Sequence, residues 1–389
     1  MILEALALLS LAIWGYLLLG RGGFWLGRER DDAAAAALAS PSVWPEIVAV
    51  IPARDEAQSI GESVGSLLRQ DYPGRLSLVV VDDQSSDGTA EAARAAAEAA
   101  GAAARLDVVA GGERPPGWTG KLWAMRQGLA AVESGATAPE FVLFSDADIA
   151  YQPRALARLV AIAETKGAAL ASLMAKLSCE SAAERWLAPA FVFFFQMLYP
   201  FAWANDPRRG VAAAAGGCML ARRAALAAAG GLEAVRGALI DDCALGALLK
   251  RQGPIWLGLT EDAVSLRPYP TFVSFGAMVA RSAFAELRYS SLRLAGAIAG
   301  MAATYLAPPL LTLFADGWAR WAGALAWAAM AASFAPTLRL YRRPFATGLA
   351  LPVIALAYLV FTSASAVLYW RGCGGYWKGR FQAPNDVRA

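Results

Sequence analysis

The chain contains no histidine, and it has four cysteines. Serine–histidine–aspartate sites and histidine-ligated metal centres are therefore excluded. A general base must be a carboxylate, with lysine, tyrosine or cysteine as the alternatives. The cysteines (Cys179, Cys218, Cys243 and Cys373) are scattered without CxxC spacing. This spacing argues against a zinc site or a disulfide framework and favours reduced thiols facing the cytoplasm.

Charge is scarce as well. Only 17% of the 389 residues are charged, whereas 57% are hydrophobic. This composition is too apolar for an ordinary soluble enzyme and indicates membrane segments. The net charge of +3 is small and no basic stripe is sustained, which argues against nucleic acid as a partner.

The N-terminal residues form the first apolar run. Residues 2–20 are apolar except for Glu4 and Ser10, and they are long enough to cross a bilayer as a transmembrane helix. A signal peptide is the alternative, but the charged leader and a small-residue cleavage site are missing. Arginines follow within the linker, 21–45, so the positive-inside rule places the N-terminus outside and the next domain in the cytoplasm.

The C-terminal region, 291–371, is apolar again. It contains three membrane candidates, at 296–315, 318–336 and 348–370, and a basic aromatic tail follows at 372–389. Basic clusters lie before and after the last candidate, and both favour the cytoplasm although a single crossing separates them. Either one segment is re-entrant or one cluster breaks the rule. We expect an integral protein of the bacterial inner membrane with a cytoplasmic catalytic domain.

Residues 46–290 show a different pattern, in which strands and helices alternate. Apolar strand-like runs at 47–51, 76–81, 106–110 and 141–145 alternate with helical stretches at 59–70, 87–100 and 121–133. This order predicts an α/β domain with a doubly wound sheet. No GxGxxG follows the first strand, which argues against a dinucleotide-binding fold of the dehydrogenase kind.

The fourth predicted strand leads directly into Asp146 and Asp148. Ligands of such sheets bind beyond the carboxyl ends of the strands, where these two carboxylates would lie. Paired hard oxygen donors suit Mg²⁺ or Mn²⁺, which bind a few carboxylates together with phosphate oxygens. The alternative is an ordinary turn, since Asp is common in turns.

Polar residues also follow the other three strands. They are Pro52, Arg54 and Glu56 after the first strand, Asp82, Asp83 and Asp87 after the second, and Gly117 to Lys121 after the third. Each cluster has a structural alternative, such as a helix cap at Asp87 or a turn at 117–120. Four successive strands that all end in such clusters are difficult to explain by structure alone.

Four motifs, VIPARDEA, VDDQSSDGTA, GKLWA and SDADI, occur in this order between residues 50 and 149. Together they resemble the nucleotide-binding half of inverting family 2 glycosyltransferases of the GT-A fold. The resemblance implies that Pro52, Arg54 and Glu56 border the nucleoside, that Asp82 or Asp83 binds the uracil or ribose, and that Lys121 lies near the nucleotide. It also implies that Asp146 and Asp148 are the metal–diphosphate motif, with Mg²⁺ or Mn²⁺ as the cofactor.

A second acidic pair, Asp241 and Asp242, opens a predicted helix. Helix capping is the structural alternative. Within the resemblance, the pair is similar to the Glu-Asp pair whose second member is the catalytic base. We therefore predict that Asp242 takes the proton from an acceptor hydroxyl and that the sugar is transferred with inversion.

Two further stretches have open alternatives. Residues 186–205 are strongly aromatic and contain two prolines, so we predict an interfacial or acceptor-facing segment, with a buried core helix as the alternative. Arg288 occupies the place of the Q/R-x-x-R-W motif of processive synthases, although the match is poor. It either holds the donor diphosphate or belongs to a basic membrane face, together with Arg281.

The tail motif GYWKGR and the stretch RSAFAELRYS extend the resemblance to most of the chain. They are similar to the hopene-associated glycosyltransferases and, more distantly, the ceramide glucosyltransferases. The resemblance implies transfer from a UDP-sugar to a lipid hydroxyl, such as that of a hopanoid or a ceramide-like lipid. The alternatives are a processive polysaccharide synthase and a non-catalytic membrane scaffold on a transferase fold.

Overall fold

A computed structural model describes residues 1–36, 38, 41–135, 138–376 and 378–379. The chain divides into two compact units. The sheet unit comprises residues 29–178 and 201–267, and the helical unit comprises residues 1–28, 179–200 and the described residues from 268 onward. Residues 179–200 and 268–290, which lie within the predicted domain 46–290, belong to the helical unit. The domain bounds 46–290 remain a prediction from the sequence.

The sheet unit is built on one mixed sheet of eight strands. The strands are β1 (Ile47–Ala53), β2 (Leu76–Asp82), β3 (Leu106–Ala110), β4 (Phe141–Ser145), β5 (Ile149–Tyr151), β6 (Leu170–Lys176), β7 (Cys218–Arg222) and β8 (Ile255–Ser265). Their order across the sheet is β3-β2-β1-β4-β7-β6-β8-β5. The bounds predicted for β3 and β4 agree with the structure.

The two halves of this sheet differ in direction. Strands β1 to β4 run parallel to one another, with β1 between β2 and β4. Strand β7 is antiparallel to both β4 and β6, and the short β5 is antiparallel to β8. Every residue of β1 is buried, as expected for a strand covered on both faces. The predicted α/β sheet is confirmed, and its second half is mixed.

Much of the rest of the described chain is α-helical. In the sheet unit they are Asp31–Ala36, Ile60–Leu68, Thr89–Ala99, Gly120–Ser134, Ala155–Thr165, Phe201–Ala204, Arg223–Ala228 and Asp241–Leu249. In the helical unit they are Ile2–Gly15, Ala182–Leu198, Phe272–Ala280, Ala283–Glu286, Ser291–Met301, Ala307–Phe314, Gly317–Leu340 and Leu351–Trp370.

Among the described residues, three helical segments are long and apolar enough to cross a membrane. They are Ile2–Gly20, Ser291–Phe314 and Phe345–Trp370. They coincide with the predicted N-terminal segment and with two of the three C-terminal candidates. The remaining candidate, 318–336, lies in the helix Gly317–Leu340, which is not one of these three. The three apolar segments indicate membrane association.

Polar side chains inside the helical unit bind backbone carbonyls. Trp14 Nε1 donates to the Thr304 carbonyl at 2.8 Å, and Tyr358 Oη donates to the Leu187 carbonyl at 2.8 Å. Arg21 Nε donates to the Met197 carbonyl at 2.9 Å. These bonds satisfy donors that would be costly to bury alone in an apolar environment.

The predicted interfacial segment, 186–205, is helical over most of its length. The helix Ala182–Leu198 contains Pro189, and its Phe193 is fully buried. Trp186 and Leu198 of the same helix are exposed. The segment therefore combines a core-facing side with exposed apolar residues, and its placement at a membrane interface remains a prediction.

Candidate active site

The centre of the candidate site is the ammonium group of Lys121, between two carboxylates. Its Nζ lies 2.8 Å from Asp146 Oδ1 and 3.1 Å from Asp241 Oδ2. Asp146 follows β4, and Lys121 and Asp241 each lie in the first turn of a helix. The structure therefore brings one member of each predicted acidic pair, Asp146 and Asp241, onto the same lysine.

Local interactions fix Lys121 at the start of its helix, Gly120–Ser134. The Thr119 hydroxyl caps the helix by accepting from the Leu122 N–H, and the Thr119 N–H donates to the Arg236 carbonyl at 2.9 Å. The segment before Asp241 is thereby tied to the helix that carries Lys121. An ion pair between Arg126 and Glu233 reinforces this connection.

Asp242 is held by two backbone donors. Its Oδ2 accepts from the Gly216 N–H at 2.9 Å, and its Oδ1 accepts from the Cys243 N–H at 2.7 Å. Burial and the neighbouring charge of Asp241 raise the pKa of Asp242 to about 6, although Lys121 and the backbone donors act in the opposite direction. A carboxylate with such a pKa is suited to general base catalysis near neutral pH.

Gly216 approaches this centre so closely that a side chain at this position would crowd it. A Cβ atom at residue 216 would lie 3.2 Å from Lys121 Nζ and 3.3 Å from Asp242 Oδ2. The following residue, Gly217, accepts at its carbonyl from the Asp146 N–H and from Tyr151 Oη. The backbone at residues 216–217 therefore lies beside both Asp146 and Asp242.

A second group of charged residues surrounds Asp148. Arg267, just beyond β8, places its Nε 2.7 Å from Asp148 Oδ2, and the same guanidinium pairs with Glu56. The Leu266 N–H also donates to the Asp148 carbonyl at 2.7 Å. Arg267 thus joins the chain segments that follow β1, β4 and β8.

The residues predicted to border the nucleoside follow β1 and β2. Pro52 is a buried residue of β1. Arg54 donates to the Asp83 carbonyl at 2.6 Å, and its guanidinium lies 3.8 Å from Asp83 Oδ2. Asp82 accepts from the Ser85 N–H at 3.0 Å, which stabilises the turn. Of the two candidate carboxylates, Asp82 therefore serves the local turn, whereas Asp83 is buried against Arg54.

Lys121 and Asp146 each shift the pKa of the other. Burial opposes the charge of Lys121, but the attraction of Asp146 and Asp241 outweighs it, so the pKa of Lys121 is raised. Burial raises the pKa of Asp146, against the attraction of Lys121. Lys121 is therefore charged, because three carboxylates face it and its ammonium lies within 3.1 Å of two of them.

The donor set fits a divalent cation that is shared with a phosphate group. Within the described ranges, no three acidic or cysteine side chains cluster tightly enough to hold a metal ion by themselves. The four carboxylates of Asp146, Asp148, Asp241 and Asp242 nevertheless lie beside two cations of the chain, Lys121 and Arg267. Two carboxylates after one strand, in a site with excess negative charge, suit Mg²⁺ or Mn²⁺ completed by diphosphate oxygens.

Two predicted features belong to the helical unit and not to the sheet unit. Arg288 belongs to the helical unit, where it and Tyr289 both have a positive φ after the short helix Ala283–Glu286. That Arg288 binds a diphosphate remains a prediction. Of the predicted tail, 372–389, only residues 372–376 and 378–379 are described. Trp377, Arg380 and the rest of the tail lie outside the described residues.

Arg267 was not among the site residues predicted from the sequence. Several of the other site residues were predicted because each is a charged residue directly after a predicted strand, and the same pattern could have identified Arg267. Strand β8 contains Glu261 and Asp262, and these charges interrupt the apolar run that marks a buried strand.

The chain is similar to proteins of known family and to solved structures. Residues 45–256 match the family described as "Glycosyltransferase like family 2". None of the curated proteins matches the chain significantly. Among solved structures, the mannosyltransferase PcManGT from Pyrobaculum calidifontis, in complex with GDP-Man and Mn²⁺, is 23% identical, with a TM-score of 0.56. The alignment covers 94% of this chain and 99% of PcManGT.

A weaker similarity links the chain to glucosyl-3-phosphoglycerate synthase from Mycobacterium tuberculosis, in complex with Mg²⁺ and UDP. The identity is 21% and the TM-score 0.40, with 66% of this chain and 80% of that chain covered. A score this low carries no argument. The likeness to PcManGT concerns the fold, and with the family match it confirms the predicted GT-A-type α/β sheet with long apolar helices at both ends.

Proposed function

Because this chain belongs to the family 2 glycosyltransferases, we propose that it moves a sugar from a nucleotide-sugar to a hydroxyl group of a membrane lipid. The observation that carries this proposal is the convergence of Asp146, Asp241 and Asp242 around Lys121. It joins a motif suited to a diphosphate with a carboxylate suited to removing a proton.

Asp242 is the proposed general base. Its raised pKa, about 6, keeps the group ionised at neutral pH yet basic enough to accept a proton from an attacking hydroxyl. The Gly216 and Cys243 N–H groups orient its two oxygens. We expect inversion, so that an α-linked donor gives a β-linked product.

The donor diphosphate is proposed to bind beside Asp146 and Asp148. A Mg²⁺ or Mn²⁺ ion on these carboxylates would supply positive charge to the leaving diphosphate. Lys121 adds a fixed positive charge at the same place, and Asp241 holds Lys121 there. Arg54, Glu56 and Asp83 would border the nucleoside, which we expect to be uridine, with Pro52 in the strand beneath them.

The acceptor is proposed to be a lipid, since the chain has three helices apolar enough to cross a membrane and an aromatic segment at 186–205. By the finer resemblance of the sequence, a hopanoid or a ceramide-like lipid is the expected class. Arg288 and the basic tail would assist at the diphosphate or at lipid headgroups. The catalytic domain would face the cytoplasm of a bacterial inner membrane.

The test is transfer of label from UDP-sugars, with GDP-mannose in parallel, into lipids of membranes that contain this protein. The wild type is compared with Asp242→Asn and Asp148→Ala, with and without a chelator. Arg158→Met, which removes an ion pair with Asp262 in the same unit, serves as the matched control. Label in one glycolipid that disappears with the chelator or with either site variant supports the proposal.

Other outcomes would contradict it. Label in a high-polymer fraction would indicate a polysaccharide synthase. Nucleotide binding without turnover of any donor in any lipid extract would indicate a non-catalytic scaffold.

A further inference from the structure

Both carboxylates of the proposed metal motif are already held by cations of the protein itself. Lys121 Nζ lies 2.8 Å from Asp146 Oδ1, and Arg267 Nε lies 2.7 Å from Asp148 Oδ2. Arg267 also pairs with Glu56 through a second nitrogen. One guanidinium therefore bridges the metal motif and the predicted nucleoside loop.

The surroundings of Arg267 make this bridge more than a surface ion pair. The carboxylates of Asp148 and Glu56 are each only 12% exposed, and the Arg267 side chain is 33% exposed. The backbone bond from Leu266 to the Asp148 carbonyl fixes the segment next to its partner. Breaking such a pair without a replacement leaves a partly buried charge unpaired, which is costly.

This cost bears on how the site can accept a cation. Asp148 Oδ2 can bind one directly only if Arg267 releases or shares that oxygen, and the same holds for Asp146 Oδ1 and Lys121. A diphosphate group offers both protein cations new anionic partners. A guanidinium pairs with phosphate oxygens through two parallel N–H groups, so Arg267 is well suited to this exchange.

We propose that Arg267 is a positioning residue that keeps Asp148 paired until a nucleoside diphosphate arrives, so that divalent-cation binding depends on the nucleotide. This inference rests on the proposed function, because it assumes that a nucleotide-sugar and a divalent cation share the site. It adds the order in which the nucleotide and the cation bind, and it attributes that order to the Arg267 side chain. Linkage requires the effect to be mutual, so the cation must tighten nucleotide binding by the same factor.

The experiment measures Mn²⁺ affinity of the full-length protein in detergent from the electron paramagnetic resonance signal of free Mn²⁺. Each protein is titrated alone and with saturating UDP or GDP. For the wild type we expect Mn²⁺ affinity to rise roughly tenfold or more with the nucleotide, within the usual range of coupling between sites. For Arg267→Met we expect Mn²⁺ alone to bind about tenfold more tightly than to the wild type, with a smaller effect of nucleotide.

Two further variants make the result decisive. Arg158→Met removes a different Arg–Asp pair of the sheet unit and should leave Mn²⁺ affinity unchanged. Arg267→Lys retains the charge but not the fork, and should give a coupling between those of the wild type and Arg267→Met. It also provides the comparison if Arg267→Met does not fold.

The outcomes separate this inference from the proposed function. If the wild type binds Mn²⁺ and nucleotide with strong coupling but Arg267→Met and Arg267→Lys both behave like the wild type, the role of Arg267 is wrong and the proposed function stands. If the wild type binds neither Mn²⁺ nor either nucleotide, the proposed function itself fails.

Discussion

The charged cluster of the sheet unit and the interior of the helical unit hold their polar side chains in different ways. Around Lys121 and Arg267 in the sheet unit, the partners are oppositely charged side chains. In the helical unit, donors such as Trp14 and Tyr358 bind backbone carbonyls. Neutral donors on carbonyls suit an environment in which charge is expensive. Ion pairs suit a site where charge must be exchanged with a ligand.

Removing the proposed base should have the largest effect on the sheet unit. We expect Asp242→Asn to lower kcat by about 10²–10⁴-fold, the usual contribution of a general base. Nucleotide affinity should be almost unchanged. Steady-state kinetics with the labelled donor and a separate nucleotide titration give the two values. A variant that retains more than a tenth of the wild-type rate would assign the base elsewhere.

Neutralising Lys121 should have the next largest effect. Lys121→Met removes the charge between Asp146 and Asp241, which leaves adjacent carboxylates without their shared cation. We expect kcat/KM to fall about 100-fold, the loss associated with a fixed group that stabilises developing charge. Nucleotide affinity should fall as well, in contrast to Asp242→Asn. Equal kinetics for Lys121→Met and the wild type would contradict the central role of this lysine.

The pH dependence tests the same cluster without changing the protein's fold. Because burial raises the pKa of Asp242 to about 6, the group is protonated and inactive below that pH and ionised above it. We expect kcat/KM to fall about tenfold per pH unit below pH 6. In Asp241→Asn this acidic limb should move to lower pH, because the Asp241 charge is the second cause of the raised pKa. An unchanged limb would contradict the coupling.

A smaller effect is expected from crowding the site. Gly216→Ala places a methyl group 3.2 Å from Lys121 Nζ and 3.3 Å from Asp242 Oδ2, so both groups must shift slightly. We expect kcat/KM to fall about fivefold, corresponding to roughly 1 kcal/mol in the barrier. Gly210→Ala is the control, because a Cβ there meets no atom within 4 Å. Equal losses in both variants would indicate a general effect on the loop.

Substitutions in the helical unit should lower the stability of the protein and leave the reaction unchanged. Tyr358→Phe removes the hydrogen bond to the Leu187 carbonyl, and we expect a loss of about 1 kcal/mol in the free energy of unfolding. The pH profile of the reaction should keep its shape. Thermal unfolding in detergent measures the loss, with Val360→Ala as an exposed control on the same helix. A shifted pH profile would break the distinction between the two units.

Much of the sheet and of the charged cluster at its edge could be predicted because the information is local. The apolar run of β4 identified Asp146 and Asp148, and charged residues after parallel strands located Arg54, Asp83 and Lys121. In a parallel sheet, every such loop emerges at one edge. The local pattern of charged residues after strands therefore also predicted which loops lie close together in the fold.

The other half of the site depends on pairings that no local pattern encodes. Gly216 reaches Asp242 because β7 runs antiparallel beside β4, and Arg267 reaches Asp148 because β8 pairs with β5. These contacts join residues far apart in sequence, and the charged end of β8 obscures its strand signal. The residue types were visible in the sequence, but their partners were not.

The pairing of β5 with β8 also has a consequence for biosynthesis. Residues 149–151 bind 263–265, and the Asp148 carbonyl accepts from the Leu266 N–H. During translation, the segment that carries Asp148 must therefore wait for more than 100 further residues before its partner strand leaves the ribosome. A nascent chain that ends before β8 contains all four motifs of residues 50–149 and still lacks the strand that fixes the last of them. Competence to bind the proposed donor should thus arise late in synthesis, when β8 pairs with β5.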